Sequence, residues 1–253
     1  MVLAASWVLA LALIVQAPAA AVRPNSEWSD DQPFTHVLHN LGTDFKNLPT
    51  GTNAAIIGVG ALGAIAVHRY DAPLSKWATS RGPSSYTKLG NVSGNGFTQA
   101  GVAIGTYAIG KLTHDDVTIH VGSDLIRGQL LNGIFTESLK VGVNRTRPTG
   151  SARSFPSGHT SASFTTAAVL QAHFGWGVGS AAYAAAGFIG WTRVRDNQHW
   201  LSDVVFGSAV GVLSGYTVTL GHHVPVQVVP ARTPHGGPAV VVLWTPRPAV
   251  ARH

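Results

Sequence analysis

Six polar side chains set into a stretch otherwise rich in Ala, Gly and Val constrain this chain more than any other feature. They are Lys140, Arg147, His159, Arg193, His199 and Asp203. Apolar helices do not bury such groups without partners or a task for them. The fold therefore has to gather segments distant in sequence, so that three cations, two histidines and one carboxylate meet each other or a bound ion. The formal net charge of +6 points to an anionic partner: nucleic acid, an anionic membrane or an anionic substrate. The basic residues form no Lys/Arg run and no aromatic residues are interleaved with them, which excludes a nucleic-acid face. Many fall instead between Lys140 and Arg195, which favours a phosphate site.

The residue types fit one pocket for a tetrahedral oxyanion. A transferred phosphoryl group spreads charge over three equatorial oxygens and needs several fixed donors around them. Arg147 and Arg193 offer planar forks and Lys140 a point charge. Phe155-Pro156-Ser157-Gly158-His159 reads as a helix start with Pro156 at the first helical position. Backbone N–H groups of Ser157 and Gly158 then face an anion, and the Ser157 hydroxyl adds a donor. His199 and Asp203 are four apart and share one helix face, so Asp203 can orient one imidazole nitrogen and leave the other to attack phosphorus. Taken singly, each cation reads as a solvated surface charge, and His199–Asp203 as a helix pair worth under about 0.5 kcal/mol. Spacing alone leaves open which histidine attacks.

Three ordered motifs carry a resemblance. The chain reads K-VGVNRT-R-P from Lys140, then PSGH from Pro156, then T-R-VRDNQ-H-WLS-D ending at Asp203. This resembles the type-2 phosphatidic acid phosphatase and vanadium haloperoxidase superfamily, whose pattern is K-x6-R-P, P-S-G-H and S-R-x5-H-x3-D. Thr192 stands where Ser is usual and keeps the hydroxyl. The resemblance implies a helical bundle and a phosphohistidine intermediate. It implies His199 as nucleophile, Asp203 as its partner and His159 as general acid and base. Lys140, Arg147, Ser157, Gly158 and Arg193 would bind phosphate, with no cofactor and no metal. Vanadate enters only under the alternative of a haloperoxidase using the same pocket. A non-catalytic binder of phosphate or lipid head groups is a further alternative, but it would not need His159, His199 and Asp203.

The expected organisation is mainly α, with a small C-terminal β appendage. Residues 1–21 read as a secretory signal peptide, with Val8 to Val15 apolar and small residues following. Residues 22–33 are an exposed lead-in, 34–215 the helical phosphatase domain, and 216–253 the appendage and tail. Helices are expected near 33–47, 54–69, 97–112, 113–143, 156–174, 178–192 and 199–215. Asn53 and Thr113 are expected to cap two of them. Residues 71–96 read as a long loop with one short helix. Strands are expected at Thr217–Leu220, Val224–Val229 and Ala239–Trp244. Without cysteine, thiolate catalysis and disulfides are excluded. The apolar runs look 14–18 residues long and mean hydropathy is +0.18, short of the ~20 residues a membrane span needs. This favours a soluble or peripheral exported bundle, periplasmic or otherwise outside the cytoplasm, although relatives include integral membrane enzymes. The expected partner is an anionic phosphate ester, soluble or lipid, and not nucleic acid.

Overall fold

A computed structural model describes residues 34–81, 85–219, 226–232 and 238–244. The helices are α1 (Phe34–Lys46), α2 (Gly51–Val67), α3 (Asp71–Ser80), α4 (Thr87–Ser93), α5 (Gly96–Thr113), α6 (Asp116–Val143), α7 (Gly158–Arg195) and α8 (Leu201–Thr219). A 3-10 turn, His68–Tyr70, joins α2 to α3. The expected signal peptide and lead-in lie outside the described residues.

Several ends differ from the expected ones for local reasons. Thr50, not Asn53, caps α2: its hydroxyl accepts the Asn53 N–H at 3.1 Å. Thr113 closes α5 instead of opening α6, with its hydroxyl donating to the Ile109 carbonyl at 2.9 Å. His114 follows in the left-handed region (φ 53°), and Asp115 stands at the N-cap of α6. The expected break after Phe174 is a kink at Gly175 (φ 75°, ψ −172°) inside α7. Residues 71–96 are mostly helical, as α3 and α4.

Thr217–Thr219 is not a strand. β-branched residues favour strands only weakly against packing context. Here Val218 is buried in the core and the Thr217 hydroxyl donates to the Leu213 carbonyl one turn back, so α8 runs on. Beyond it, β1 (Val226–Arg232) and β2 (Pro238–Trp244) pair antiparallel, Val229 opposite Val241. The side chains of this pair lie outside the described residues.

The core sits between α6, α7 and α8, around Val121, Leu125, Leu131, Val169 and Val218. One face of α8 carries Gly207, Gly211 and Gly215, spaced by one turn. A Cβ on Gly207 would lie 2.8 Å from the Ser157 carbonyl oxygen, one on Gly211 would overlap the Ser161 carbonyl, and one on Gly215 would lie 2.6 Å from Ala168 Cβ. α8 thus lies backbone-close along the first turns of α7. A buried ion pair secures the middle of α6: Arg127 reaches Asp44 of α1 at 2.7 and 2.9 Å and the Val218 carbonyl at 3.0 Å.

The outer faces are apolar. Leu62 is 69% and Ile65 72% exposed on α2, and Leu112 and Phe97 are more exposed still on α5. Among the described residues, two segments are long and apolar enough to cross a membrane, by length and composition: Gly51–Ser80 and Leu201–Thr219. The first is 30 residues with only 17% of its apolar window buried, because the His68–Tyr70 turn extends α2 into α3. The length argument against a membrane does not hold for it.

Gly211→Ala is expected to cost about 1–3 kcal/mol through overpacking against the Ser161 carbonyl. Thermal melting checks this against Gly58→Ala, whose added methyl meets nothing within 4 Å and should leave the melting temperature unchanged or slightly higher.

Candidate functional site

Two loops and two helix ends build the site. Lys140 lies in the last turn of α6, which Asn144 closes in the left-handed region (φ 45°). The chain then turns through 145–157 before α7. Within that loop the Arg147 N–H donates to the Ser151 carbonyl at 2.7 Å, and the Gly150 N–H to the Arg147 carbonyl at 2.9 Å. Between α7 and α8 the N–H groups of Gln198 and His199 both donate to the Arg193 carbonyl, at 3.0 and 3.2 Å. This tight return sets Arg193 and His199 side by side. The Gln198 side chain ties the two loops together, accepting from Arg147 Nη1 at 3.2 Å.

The helix start departs from expectation at one point. α7 begins at Gly158, with Ser157 at the N-cap and Pro156 before it. The Ser157 N–H is not available to an anion, because it donates to the Asp203 carbonyl at 3.1 Å. The Ser157 hydroxyl is fully buried and accepts from Thr160 Oγ1 at 2.9 Å. The anion cradle of this helix therefore starts at the Gly158 N–H. Lys140 reaches the same place: a Cβ on Gly158 would stand 3.2 Å from its Nζ. That ammonium also pairs with Glu137 at 3.0 Å.

The His199 ring is buried, with Nδ1 3.6 Å from Asp203 Oδ2. That is ion-pair distance, just outside hydrogen-bond reach. Asp203 is fully buried and heavily engaged: Oδ2 accepts from the Trp200 N–H at 2.9 Å and from the Ser154 hydroxyl, and Oδ1 from Arg145 Nη1 at 2.6 Å. His199 Nδ1 and the Nε atoms of Arg147 and Arg193 are buried without a protein partner. His159 Nε2 lies 3.2 Å from the Asn91 carbonyl of α4, whose side chain accepts from Arg193 and donates to Asp196 at 3.0 Å. Asn91, Arg193 and Gln198 line a cleft of about 320 Å³.

Residues 123–224 match the family model of the PAP2 superfamily. That segment holds all three motifs, so the likeness to the type-2 phosphatidic acid phosphatase (PAP2) superfamily lies in this part of the chain. Over 93 residues it is 40% identical to a lipid A 1-phosphatase of Porphyromonas gingivalis, covering 35% of this chain but only 21% of that protein. Among solved structures, Aquifex aeolicus LpxE aligns over 58% of this chain and 93% of its own, at 21% identity and a TM-score of 0.47. A transmembrane PAP2-type phosphatidylglycerolphosphate phosphatase from Bacillus subtilis aligns over 73% and 91%, at 18% identity and a TM-score of 0.34.

Lys140, Arg147, His159, Arg193, His199 and Asp203 stand close enough to act on one another's charge, and of these Arg193 lines the cleft. Asn91, Gln198 and Ser154 also touch them and were not legible. Asn91 lies in a stretch that reads as loop, Gln198 fills an unspecified spacer position of the third motif, and Ser154 belongs to no motif. Thr192, the departure from the motif, is fully buried against α4: a Cβ on Gly90 would sit 2.8 Å from Thr192 Cβ. The close approach at Gly90 and Gly94 seats Asn91 over the site.

The field in the cleft acts on both histidines. Burial, then Arg193 and His199, push His159 down to about 4; the Asn91 carbonyl pulls it upward, and Lys140 adds a lesser downward push. Burial lowers His199 as well, with Arg147 and Arg193 adding to it and Asp203 opposing. Burial alone would raise Asp203, but His199, Ser154, the Trp200 N–H and Arg145 hold it below the usual carboxylate range. An anion in the cleft offsets the cations that depress His159, so its affinity for a proton must rise when the anion binds. Binding of sulfate, a tetrahedral dianion of fixed charge, is expected to take up as much as one proton per site near pH 5.5. Calorimetry in buffers of different ionisation enthalpy measures this, and His159→Gln should remove the uptake.

Proposed function

We propose that this protein is a phosphatase that hydrolyses lipid phosphate monoesters through a phosphohistidine on His199. The observation that carries the reading is the mutual proximity of Lys140, Arg147, Arg193, His159 and the His199–Asp203 pair, with buried Arg147 and Arg193 nitrogens left for an oxyanion. In the first step the His199 nitrogen remote from Asp203 forms a bond to phosphorus as the bond to the leaving alkoxide breaks. His159 gives that alkoxide its proton. In the second step water attacks the phosphohistidine, His159 takes the water's proton, and the N–P bond breaks to release inorganic phosphate. The three cations stabilise the charge on the equatorial oxygens in both steps. Each step is assigned to a side chain of this protein, and the scheme calls for no metal.

Two features support a lipid substrate. A lipid A 1-phosphatase is 40% identical to this chain over 93 residues. Beside Asn91 on α4, Leu89 and Val92 are mostly exposed, and Phe97 follows at 91% exposed. Exposed apolar side chains flanking a polar cleft suit a substrate whose phosphate enters the pocket while its chains stay in lipid. We place the protein at a membrane on the same grounds, with the outer faces of α2 and α5 in contact with lipid.

A phosphatidic acid presented in mixed micelles is expected to be hydrolysed with kcat/KM at least about tenfold above that for p-nitrophenyl phosphate, and activity should survive EDTA. Equal rates on both would overturn the lipid assignment. His199→Ala should abolish turnover while the protein stays folded. Asp203→Asn should lower kcat by about 10³–10⁴ through loss of the correct tautomer, as in other His–Asp pairs. A rate unchanged in His199→Ala rejects the nucleophile assignment.

A further inference from the structure

Asp71, the first residue of α3, lies outside the segment that matches the PAP2 family, yet it connects to the catalytic carboxylate through one side chain. It is 4% exposed. Its Oδ1 accepts the Ser202 N–H at 3.0 Å, and Oδ2 accepts the Ser202 hydroxyl at 2.6 Å. These bonds cap the start of α8 and have an ordinary structural meaning. They do not account for Arg145. That guanidinium sits between two carboxylates, with Nη2 on Asp71 Oδ2 at 2.8 Å and Nη1 on Asp203 Oδ1 at 2.6 Å. Nη1 also reaches the Ser202 hydroxyl at 2.7 Å, and the group stands 5.4 Å from the Trp200 ring centre. His68 Nδ1 closes the outer end, 2.9 Å from Asp71 Oδ2.

We infer that Asp71 and Arg145 are positioning residues that set how strongly Asp203 supports a proton on His199. The inference rests on the proposed roles of His199 and Asp203. A carboxylate beside a cation is a weaker base, and a weaker base stabilises an imidazolium less. Arg145 weakens Asp203 in this way, and Asp71 offsets part of that cation's charge. The two residues therefore act on His199 with opposite sign. The other groups facing this pair are Ser154 and the Trp200 N–H on Asp203, and Arg147, Arg193 and His159 around His199; both substitutions leave all of them in place.

The test is the titration of His199 by histidine NMR, assigned with His199→Gln, in the intact wild-type protein and in variants. Arg145→Gln is expected to raise the titration midpoint by about half a pH unit or more, and Asp71→Asn to lower it by a similar amount. Arg145→Lys keeps the charge and should stay near wild type. In turnover, the acid limb of kcat/KM should move the same two ways. A purely structural role predicts loss of activity in both variants with no opposed displacement of the midpoint. If Arg145→Gln does not fold, Asp71→Asn decides alone: a lower midpoint supports the inference, and an unchanged or higher one overturns it. The NMR readout does not depend on turnover. Wild-type protein that titrates as described but hydrolyses no phosphate would overturn the proposed function and leave the inference standing.

Discussion

The backbone-close contact between α7 and α8 is the constraint on which the site depends. Gly207, Gly211 and Gly215 let α8 lie against Ser157, Ser161 and Ala168, where any side chain would hold the helices apart. That closeness allows the Ser157 N–H to bond to the Asp203 carbonyl, which pins the start of α7 to the first turn of α8. His159 belongs to one of these turns and Asp203 to the other. The relative placement of His159 and Asp203 is therefore a property of a packed helix pair, while the turn between α7 and α8 holds His199 beside Arg193. The same pairing explains why so many hydroxyls are buried: Thr160, Thr165, Ser214 and Thr217 satisfy themselves on nearby carbonyls or hydroxyls without needing room.

The site also shows how a fold can hold like charges together. Arg147, Arg193 and Lys140 surround two imidazoles in a poorly solvated cleft, which is unfavourable until an anion arrives. Part of the cost is offset by Gln198, Glu137, Asn91 and Asp196, which accept from these cations or stand beside them. The histidines respond by releasing protons more readily than usual. An imidazole kept neutral is a competent nucleophile, whereas the acid role proposed for His159 depends on charge brought by the substrate.

Much of the site and the fold class was legible in the sequence. Lys140, Arg147, Ser157, Gly158, His159, Arg193, His199 and Asp203 follow a fixed order and spacing, and helical periodicity located most of the helices. What was not legible depends on contacts distant in sequence. Asp71 and Asn91 lie in a stretch whose Gly, Ser, Pro and Asn content reads as loop, yet packing makes helices of it, with Gly90 closing on Thr192. The strand signal at Thr217–Thr219 was local β-propensity, outweighed by burial of Val218. The apolar length of α2 was underestimated because a 3-10 turn does not interrupt the run as a loop would.

The position of Asp71 has a consequence for how separable the catalytic unit is. Residues 123–224 contain every motif residue and Arg145, but not the carboxylate on the far side of that guanidinium. Transplanted onto another scaffold, the segment would carry an arginine with a single acidic partner instead of two. Under the roles proposed above, recombination among relatives would have to bring α3 along, or replace its acid from elsewhere, to keep the same dependence on pH.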